Sequence, residues 1–563
     1  MAGVILTPSS IWSDVRIESI PSVEVIGEYK TGNVTLTRMR IDGRTVTDGT
    51  VKIYAVLAKK QSKKQAPAIF ILQKFTDGAD ETLATDLAKK GYLAFVVNVG
   101  GEDGVNTNHT IYPPSLAHAN YLGVKFDEKH IIDGDVKKTY WYEWGLTARY
   151  ALNYLTSLPE VSKIAGLGID DSATVLWHMT VSNKFDCLAF ILNAGWRAYK
   201  GNFKFQGNVD QQFSDSQLNY LAGIEPQAYA NHVTAPTIIL SATNSADYDF
   251  ERSHDTYARI NGKLPAITSS SVGMRDCISK QDYENLLKFL KQNLSAGEKS
   301  VSSIPKDPTI KCDVKNGKIN CQVSVDKKQL KEVCLYVAEE KLNPSLRQWQ
   351  RVDLVQLSNG DYQCEYTPYN KSKVAFMFVK ATYKNGYIID SDVVCKKFTE
   401  SEIESGYKSK IIYSSREENS DSAFYPAGNK AKKPYGIVID QDFSVEEKNG
   451  AMDIIGITCK TGLLSFRMGL EKYRPLDEGI LLLDAYLKDG GKVTVKLVCD
   501  YFGSKREYVA SGMVNGGEVW HNLKFTLNNF KTAEGMALRT LKDVQAIEIH
   551  ADGEYLINNV LWV

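Results

Sequence analysis

The sequence predicts a multidomain chain that is α/β in its first half and all-β in its second. Three observations carry this. Residues 1–297 alternate strand-length apolar runs with amphipathic helical stretches, the pattern of a mostly parallel sheet wrapped by helices. Residues 304–400 lose the helical period and keep short alternating runs between turn residues, which predicts a β-sandwich. Residues 408–563 are again strand-rich, with enough short strands for a second, larger sandwich. A length of 563 residues is itself too great for one hydrophobic core.

In chain order, strands are expected at 51–57, 68–72, 93–97, 164–168, 187–192 and 237–241, with helices at 80–90, 141–157, 175–182 and 280–294. The last helix is amphipathic, placing Tyr283, Leu286, Leu287, Phe289, Leu290 and Leu294 on one broad face. The polar run 295–303 reads as a linker. Strands follow at 318–325, 332–338, 361–366 and 374–382 in the second region. The third region carries them at 436–439, 452–458, 464–468, 479–485, 492–499, 519–526, 544–550 and 555–563.

Composition narrows the function. Lys+Arg and Asp+Glu are both 67, so no net charge draws the chain to nucleic acid or an anionic membrane. No apolar run approaches the roughly 20 residues of a membrane helix. The first residues lack a basic segment followed by an apolar stretch, so no secretory signal is expected. Nine cysteines are scattered without C-x-x-C pairs or histidines at metal spacing. Cys187, Cys321, Cys334 and Cys499 lie in apolar runs and read as reduced thiols, whereas Asn-x-Ser/Thr triplets at Asn33, Asn108, Asn293 and Asn370 are of a kind that arises by chance. The expectation is a cytoplasmic protein with no cofactor and no bound metal.

The one motif with chemistry in it is a strand-to-helix turn. Lys163-Ile-Ala-Gly-Leu-Gly168-Ile169-Asp170-Asp171-Ser172-Ala173 has the layout of a G-x-S-x-G nucleophile elbow, in which glycines let a strained turn close and expose a serine above the sheet. With Trp12, Trp141-Tyr-Glu-Trp144, Tyr220-Leu-Ala-Gly-Ile-Glu-Pro-Gln-Ala-Tyr229 and Ala235-Pro236, this turn makes the first half resemble the acetylxylan esterase and dienelactone hydrolase branch of the α/β hydrolases. The resemblance implies an α/β-hydrolase sheet and a Ser-His-acid triad. The residues depart from that triad at every place. Asp170 stands where the nucleophilic serine belongs, with Ser172 and Ala173 on the following glycine positions. Gln73-Lys74-Phe75-Thr76-Asp77-Gly78 replaces a His-Gly-Gly-like oxyanion loop. Ser245, in Thr243-Asn244-Ser245-Ala246, occupies the acid's step, and Asp276 the segment that should hold the histidine.

An aspartate at the elbow is also a nucleophile in haloalkane dehalogenases and epoxide hydrolases, which need a base to hydrolyse the ester intermediate. Of the eight histidines, His254 is the one placed to substitute, and His178 on the helix after the elbow is expected to point into the core. The simpler reading is that Asp170 and Asp171 stabilise a helix N-terminus. Tyr140, Trp141, Tyr142 and Trp144 read as core at helical spacing, although such a cluster can line a sugar pocket.

The middle region resembles an Ig/fibronectin-like sandwich, with Trp349 and the Cys321/Cys364 pair as its core residues. The last region, on Gly517-Glu-Val-Trp520-His521, 544–550 and Tyr555-Leu-Ile-Asn-Asn559-Val-Leu-Trp562, resembles carbohydrate-binding modules with a galactose-binding-like jelly roll. That resemblance implies a sugar ligand stacked on exposed aromatics, with Tyr501, Phe502 and Tyr508 as candidates. It also implies Ca²⁺ between strands, for which Asp440, Asp442 and Asp552 supply oxygens without diagnostic spacing. The expected function is a catalytically inactive scaffold that works with other proteins or itself. The alternatives are glycan binding through the last region and hydrolysis through Asp170.

Overall fold

The computed structural model describes residues 5–61, 65–79, 81–124, 131–194, 203–205, 213–262, 264–295, 304–404, 408–416, 423–428, 437–440, 443–476 and 478–563. Most of the expected linker, the lysines near residue 63 and Asp442 lie outside these.

The first half builds strands β1 (Val23–Thr31), β2 (Val34–Val46), β3 (Gly49–Lys60), β4 (Ala66–Leu72), β5 (Leu93–Val97), β6 (Val161–Ile169), β7 (Cys187–Ile191), β8 (Thr237–Ala242) and β9 (Ala266–Ser271). They form one sheet in the order β1-β2-β3-β5-β4-β6-β7-β8-β9. The pairs from β5 to β9 are parallel, and β1, β2 and β3 add antiparallel strands at one side. Its helices are α1 (Pro8–Trp12), α2 (Glu81–Lys89), α3 (Tyr140–Ser157), α4 (Asp171–Met179), α5 (Asp215–Gly223), α6 (Pro226–Tyr229), α7 (Phe250–Ala258) and α8 (Lys280–Leu294). β5 and β7 are buried along their whole length because helices cover both faces of the sheet, which is why they read as unbroken apolar runs. This is a mixed sheet, parallel through its centre and covered by helices on both faces, as the sequence predicts.

The residues that carry the resemblance form one packed unit. Trp12 donates its indole N–H to the Tyr229 hydroxyl at 3.0 Å and lies under the Arg149 guanidinium, 4.0 Å from the ring centroid. A side chain at Gly145 would meet the Trp12 ring at 2.4 Å, so α3 needs that glycine to admit the indole. His178, Trp141 and Tyr229 close the cluster around it. These positions hold the fold together without touching the chemistry.

The middle region holds β10 (Thr309–Lys315), β11 (Lys318–Ser324), β12 (Leu330–Glu339), β13 (Gln350–Val352), β14 (Val355–Gln356), β15 (Tyr362–Tyr366), β16 (Val374–Tyr383), β17 (Ile388–Asp390) and β18 (Val394–Lys397). One antiparallel sheet runs β10-β11-β15-β14; the other runs β13-β12-β16-β17, with β18 also on β16. The last region holds β19 (Ile411–Tyr413), β20 (Tyr425–Pro426), β21 (Glu446–Asn449), β22 (Ile455–Thr458), β23 (Leu463–Ser465), β24 (Leu481–Tyr486), β25 (Gly491–Cys499), β26 (Arg506–Val514), β27 (His521–Phe525), β28 (Val544–Ala551) and β29 (Leu556–Trp562). Its two antiparallel sheets run β21-β22-β29-β24-β27, with β19 on β29, and β20-β23-β28-β25-β26.

Two expected elements move. The helix expected at 175–182 begins at Asp171, because the Asp170 carboxylate caps the Asp171 N–H at 2.8 Å and starts the helix directly at the turn. The strand expected at 436–439 is absent among its described residues. There Ile278 N–H donates to Ile437 O at 2.6 Å and Ile278 O accepts from Ile439 N–H at 2.9 Å, so the segment docks on the first half. The regions also share apolar core: one buried cluster runs from Leu83 and Leu87 of α2 and Leu286 and Phe289 of α8 into Ile319, Leu335 and Met377.

Candidate functional site: the degenerate elbow

The turn between β6 and α4 has the strained backbone of a nucleophile elbow. Asp170 sits at φ 58° and ψ −138°, a conformation that costs a non-glycine residue about 1–3 kcal/mol and persists only where its surroundings impose it. Here they do. Its N–H donates to Ile191 O at 2.9 Å, and its carbonyl accepts from Ala173 N–H at 2.9 Å and from the Asn193 amide at 3.0 Å. Gly168 is required, since a Cβ there would lie 2.7 Å from the Ala173 backbone and push α4 off the sheet. Ser172, on a family glycine position, donates its hydroxyl to Gln73 O and ties the helix to the end of β4.

Both oxygens of the Asp170 carboxylate have partners. One oxygen pairs with Lys74 Nζ at 3.0 Å, and the other accepts from Asp171 N–H and from the Tyr248 hydroxyl. Tyr248 also reaches the Asp171 carboxylate at 2.7 Å. Burial, and then the two carboxylates, push the Tyr248 pKa well above the usual phenol value, so it remains a donor. Burial alone would lower the Lys74 pKa, but the charges of Asp170, Asp276 and Asp77 outweigh it and hold the ammonium form. Lys74 and Tyr248 draw charge from the two oxygens and make the carboxylate a weaker nucleophile than a free one. The Asp171 amide, which at this position in a hydrolase helps bind the oxyanion, is spent on Asp170 itself.

The structure brings no imidazole to this cluster among the described residues. His254 lies on α7 with Asp392, Lys204, Asp255 and Lys380 as its charged neighbours and Phe250 edge-on at 6.3 Å. Its Nε2 is buried without a hydrogen-bond partner, and burial lowers its pKa to about 4. His178 places Nε2 3.0 Å from Ile224 O in the aromatic core, where burial lowers its pKa to about 3. Ser245 accepts from the backbone of Asp247 and Tyr248, at 3.3 and 3.1 Å, and so shapes the turn that delivers Tyr248 to Asp170. Asp276 is exposed and contributes its field to Lys74. Neither Lys74 nor Tyr248 stands out in the sequence as a site residue. The one available signal is a lysine in the oxyanion loop together with an aspartate at the elbow, two changes that complement each other in charge.

The two loops that would complete a triad are turned to the other regions. After β8, the Asn244 amide donates to Arg347 O at 2.7 Å and Ser345 O at 3.3 Å. After β9, Arg275 reaches Ala427 O at 3.0 Å and the Tyr501 hydroxyl at 3.2 Å, and Gly273 lies against the Tyr425 ring. Tyr501, expected as a sugar platform, is therefore 5% exposed in this contact, edge-on to Phe466 and Phe502 at 5.2 and 5.0 Å. Phe502 stacks on Phe466 in the same cluster. Burial against the first half, invisible in local sequence, removes Tyr501 from a sugar-facing surface, and Phe502 stays half-buried beside it. Tyr508 instead lines a groove of about 810 Å³ at one end of the last region. Asp552 accepts from Lys492 N–H at 3.1 Å. Among the described residues no group of three or more His, Cys, Asp or Glu side chains is arranged to hold a metal, and Asp440 and Asp552 belong to none.

No protein-family model matches the chain, and no curated protein matches it in sequence. Solved structures similar to its first half include acetyl xylan esterase 1 from Thermoanaerobacterium sp. JW/SL YS485, at 12% identity over 49% of this chain and 89% of that one (TM-score 0.36). The acetyl xylan esterase from Paenibacillus sp. R4 is similar at 14% identity over 51% of this chain and 92% of its own (TM-score 0.37). A cold-adapted esterase from an Arctic intertidal metagenomic library is similar at 11% identity over 49% of this chain and all of its own (TM-score 0.33).

Proposed function

We propose that the chain is a non-catalytic scaffold: a degenerate hydrolase unit fixed to an immunoglobulin- or fibronectin-like sandwich and a jelly roll, serving as one rigid block in a larger assembly. The observation that carries this is the use made of the three catalytic segments. The elbow carboxylate is neutralised by Lys74 and Tyr248, the acid loop holds Arg347 and Ser345, and the histidine loop holds Tyr425, Ala427 and Tyr501. Residues committed to structure in this way are not available to a substrate. None of the nine cysteines is in a disulfide, which fits the cytoplasmic reading.

The test is hydrolysis of a panel of acetylated sugars, aryl acetates, epoxides and haloalkanes. Wild type is expected to match Asp170→Ala, and Asp170→Ser, which restores the nucleophile alone, is expected to stay at the same background. Turnover that disappears in Asp170→Ala would mean the site had been rebuilt around the carboxylate, and the scaffold reading would be lost.

The groove supports a second reading, in which the last region binds an acidic glycan. Tyr508 lines it with Arg474, Arg506, Arg539 and Lys542 against Asp500 and Asp543, and Arg474 Nε is buried without a hydrogen-bond partner. A guanidinium fork suits a carboxylate or sulfate, and the tyrosine a sugar face. Titration calorimetry should then show uronate or sulfated oligosaccharides binding, weakened about tenfold by Arg474→Ala, a loss of about 1.4 kcal/mol. Equal affinity for neutral sugars, or indifference to Arg474, would remove this reading.

A further inference from the structure

Three cysteines of the middle region stand in one row across three neighbouring strands. The register sets Cys312 of β10 opposite Cys321 of β11, and Cys321 opposite Cys364 of β15. The sulfurs of Cys312 and Cys321 are 3.3 Å apart, and Cys321 also lies 3.8 Å from the Met377 sulfur. All three are reduced and buried, with exposures of 4%, 1% and 7% in chain order. Directly opposed residues of antiparallel strands have Cα atoms about 4.5 or 5.5 Å apart. Both values fall inside the roughly 4.4–6.8 Å that a disulfide spans. The Cα spacing therefore admits a bridge in either pair, but Cys321 belongs to both pairs, so only one bond can exist at a time.

We infer that this row is an oxidation site in which Cys321 forms a disulfide first with Cys312 and then, by exchange, with Cys364. A small disulfide such as glutathione disulfide is the oxidant. The Cys312 thiolate attacks it, releasing one glutathione thiolate and leaving a mixed disulfide. The Cys321 thiolate then attacks the Cys312 sulfur and releases the second. Two protein thiols lose two protons and two electrons, and one glutathione disulfide becomes two thiols. In the exchange, the Cys364 thiolate attacks the Cys321 sulfur, and Cys312 leaves as thiolate with no net change in oxidation.

Entry at Cys312 follows from topology. β10 is an edge strand of its sheet, bonded in the ladder only to β11, so local opening reaches Cys312 before the central Cys321, whose sulfur is already 3.3 Å away. In the folded chain the exchange is set by which thiols face Cys321, and the register places Cys364 directly opposite it. Hydrogen bonds to Cys312 and Cys364 hold the Cys321 pKa well above the usual thiol value and the Cys364 pKa below it, so Cys321 is the slow attacker and Cys364 the ready one. The bond would tie β11 to β15, the central pair of the four-stranded sheet.

The experiment oxidises the full-length protein with graded glutathione disulfide at pH 8, alkylates at intervals and maps unreduced peptides by mass spectrometry. Cys395, the half-buried cysteine, reports that the reagent is active. The expected order is a Cys312–Cys321 peptide early and a Cys321–Cys364 peptide late, with no bond in Cys321→Ser. Cys364→Ser should stop at the first bond, and Cys312→Ser should reach the second more slowly. A bond that omits Cys321, or no bond in the row once Cys395 is fully modified, would overturn the inference. Should Cys321→Ser fail to fold, the order of bonds in the wild-type time course still decides between these outcomes.

Discussion

Arg347→Ala is expected to lower the unfolding free energy by about 3–5 kcal/mol, the range for removing one partner of a buried ion pair. Arg347 and Glu251 are both fully buried, joined by a hydrogen-bonded ion pair between the middle region and α7. The arginine also donates to Lys341 O at 2.7 Å and Leu342 O at 2.9 Å, and its guanidinium lies 3.5 Å above the Phe376 ring. Alanine would leave the buried Glu251 carboxylate with no hydrogen-bonded cation, only the field of Lys204, and a cavity beside Phe376. Urea unfolding followed by tryptophan fluorescence measures the loss, because Trp349 packs beside the site. A double variant, Arg347→Met with Glu251→Leu, should recover most of it, since an apolar pair removes the desolvated charge altogether. If the single variant were within about 0.5 kcal/mol of wild type, the level of a surface change, the regions would not be held by this contact and the rigid-block proposal would weaken with it.

The same contact shows where sequence reading stops. The central strands were legible because both faces of the sheet are covered and their apolar runs are continuous; β5 fell on its expected residues. β1 was not, because it is an edge strand with most side chains exposed and no core face to mark it. β9 was missed for the opposite reason. Its Ala-Ile-Thr-Ser-Ser-Ser is almost wholly buried, but Ser269 and Ser271 satisfy their hydroxyls on Asp282, and Ser270 N–H on Asp390. α7 buries Glu251, Ser253 and His254 against the middle region, so its buried face reads as polar. The departure of Asp170-Asp171-Ser172 from G-x-S-x-G could be seen because a motif is local. What replaced it could not, since Lys74, Asp170 and Tyr248 meet from three separate loops.

That replacement leads to the second large effect. Gly273→Ala should destabilise the protein well beyond an ordinary glycine substitution. Gly273 stands at φ +73° in the loop where a hydrolase would carry its histidine, and a Cβ there would lie 2.3 Å from the Tyr425 ring. Tyr425 cannot give way cheaply, because its hydroxyl accepts from Trp349 N–H at 2.8 Å and its ring packs in the cluster with Phe466 and Tyr501. The left-handed backbone costs alanine about 1–2 kcal/mol, and overpacking adds about 1–3 kcal/mol. Gly32 separates the two contributions: it has φ +61° with open space around it, so Gly32→Ala carries the backbone cost alone. Chemical denaturation of both variants, with limited proteolysis to see which region loosens, compares them directly. A larger loss in Gly273→Ala, with cleavage appearing in the last region, means that the loop serves as a docking face. Equal losses would mean that Tyr425 yields freely, and the histidine loop would then be vacant rather than reassigned. On the first outcome the loop after β9 is a contact between regions, pressed against Tyr425 and Tyr501, and the proposed rigid block has a second anchor beside Arg347.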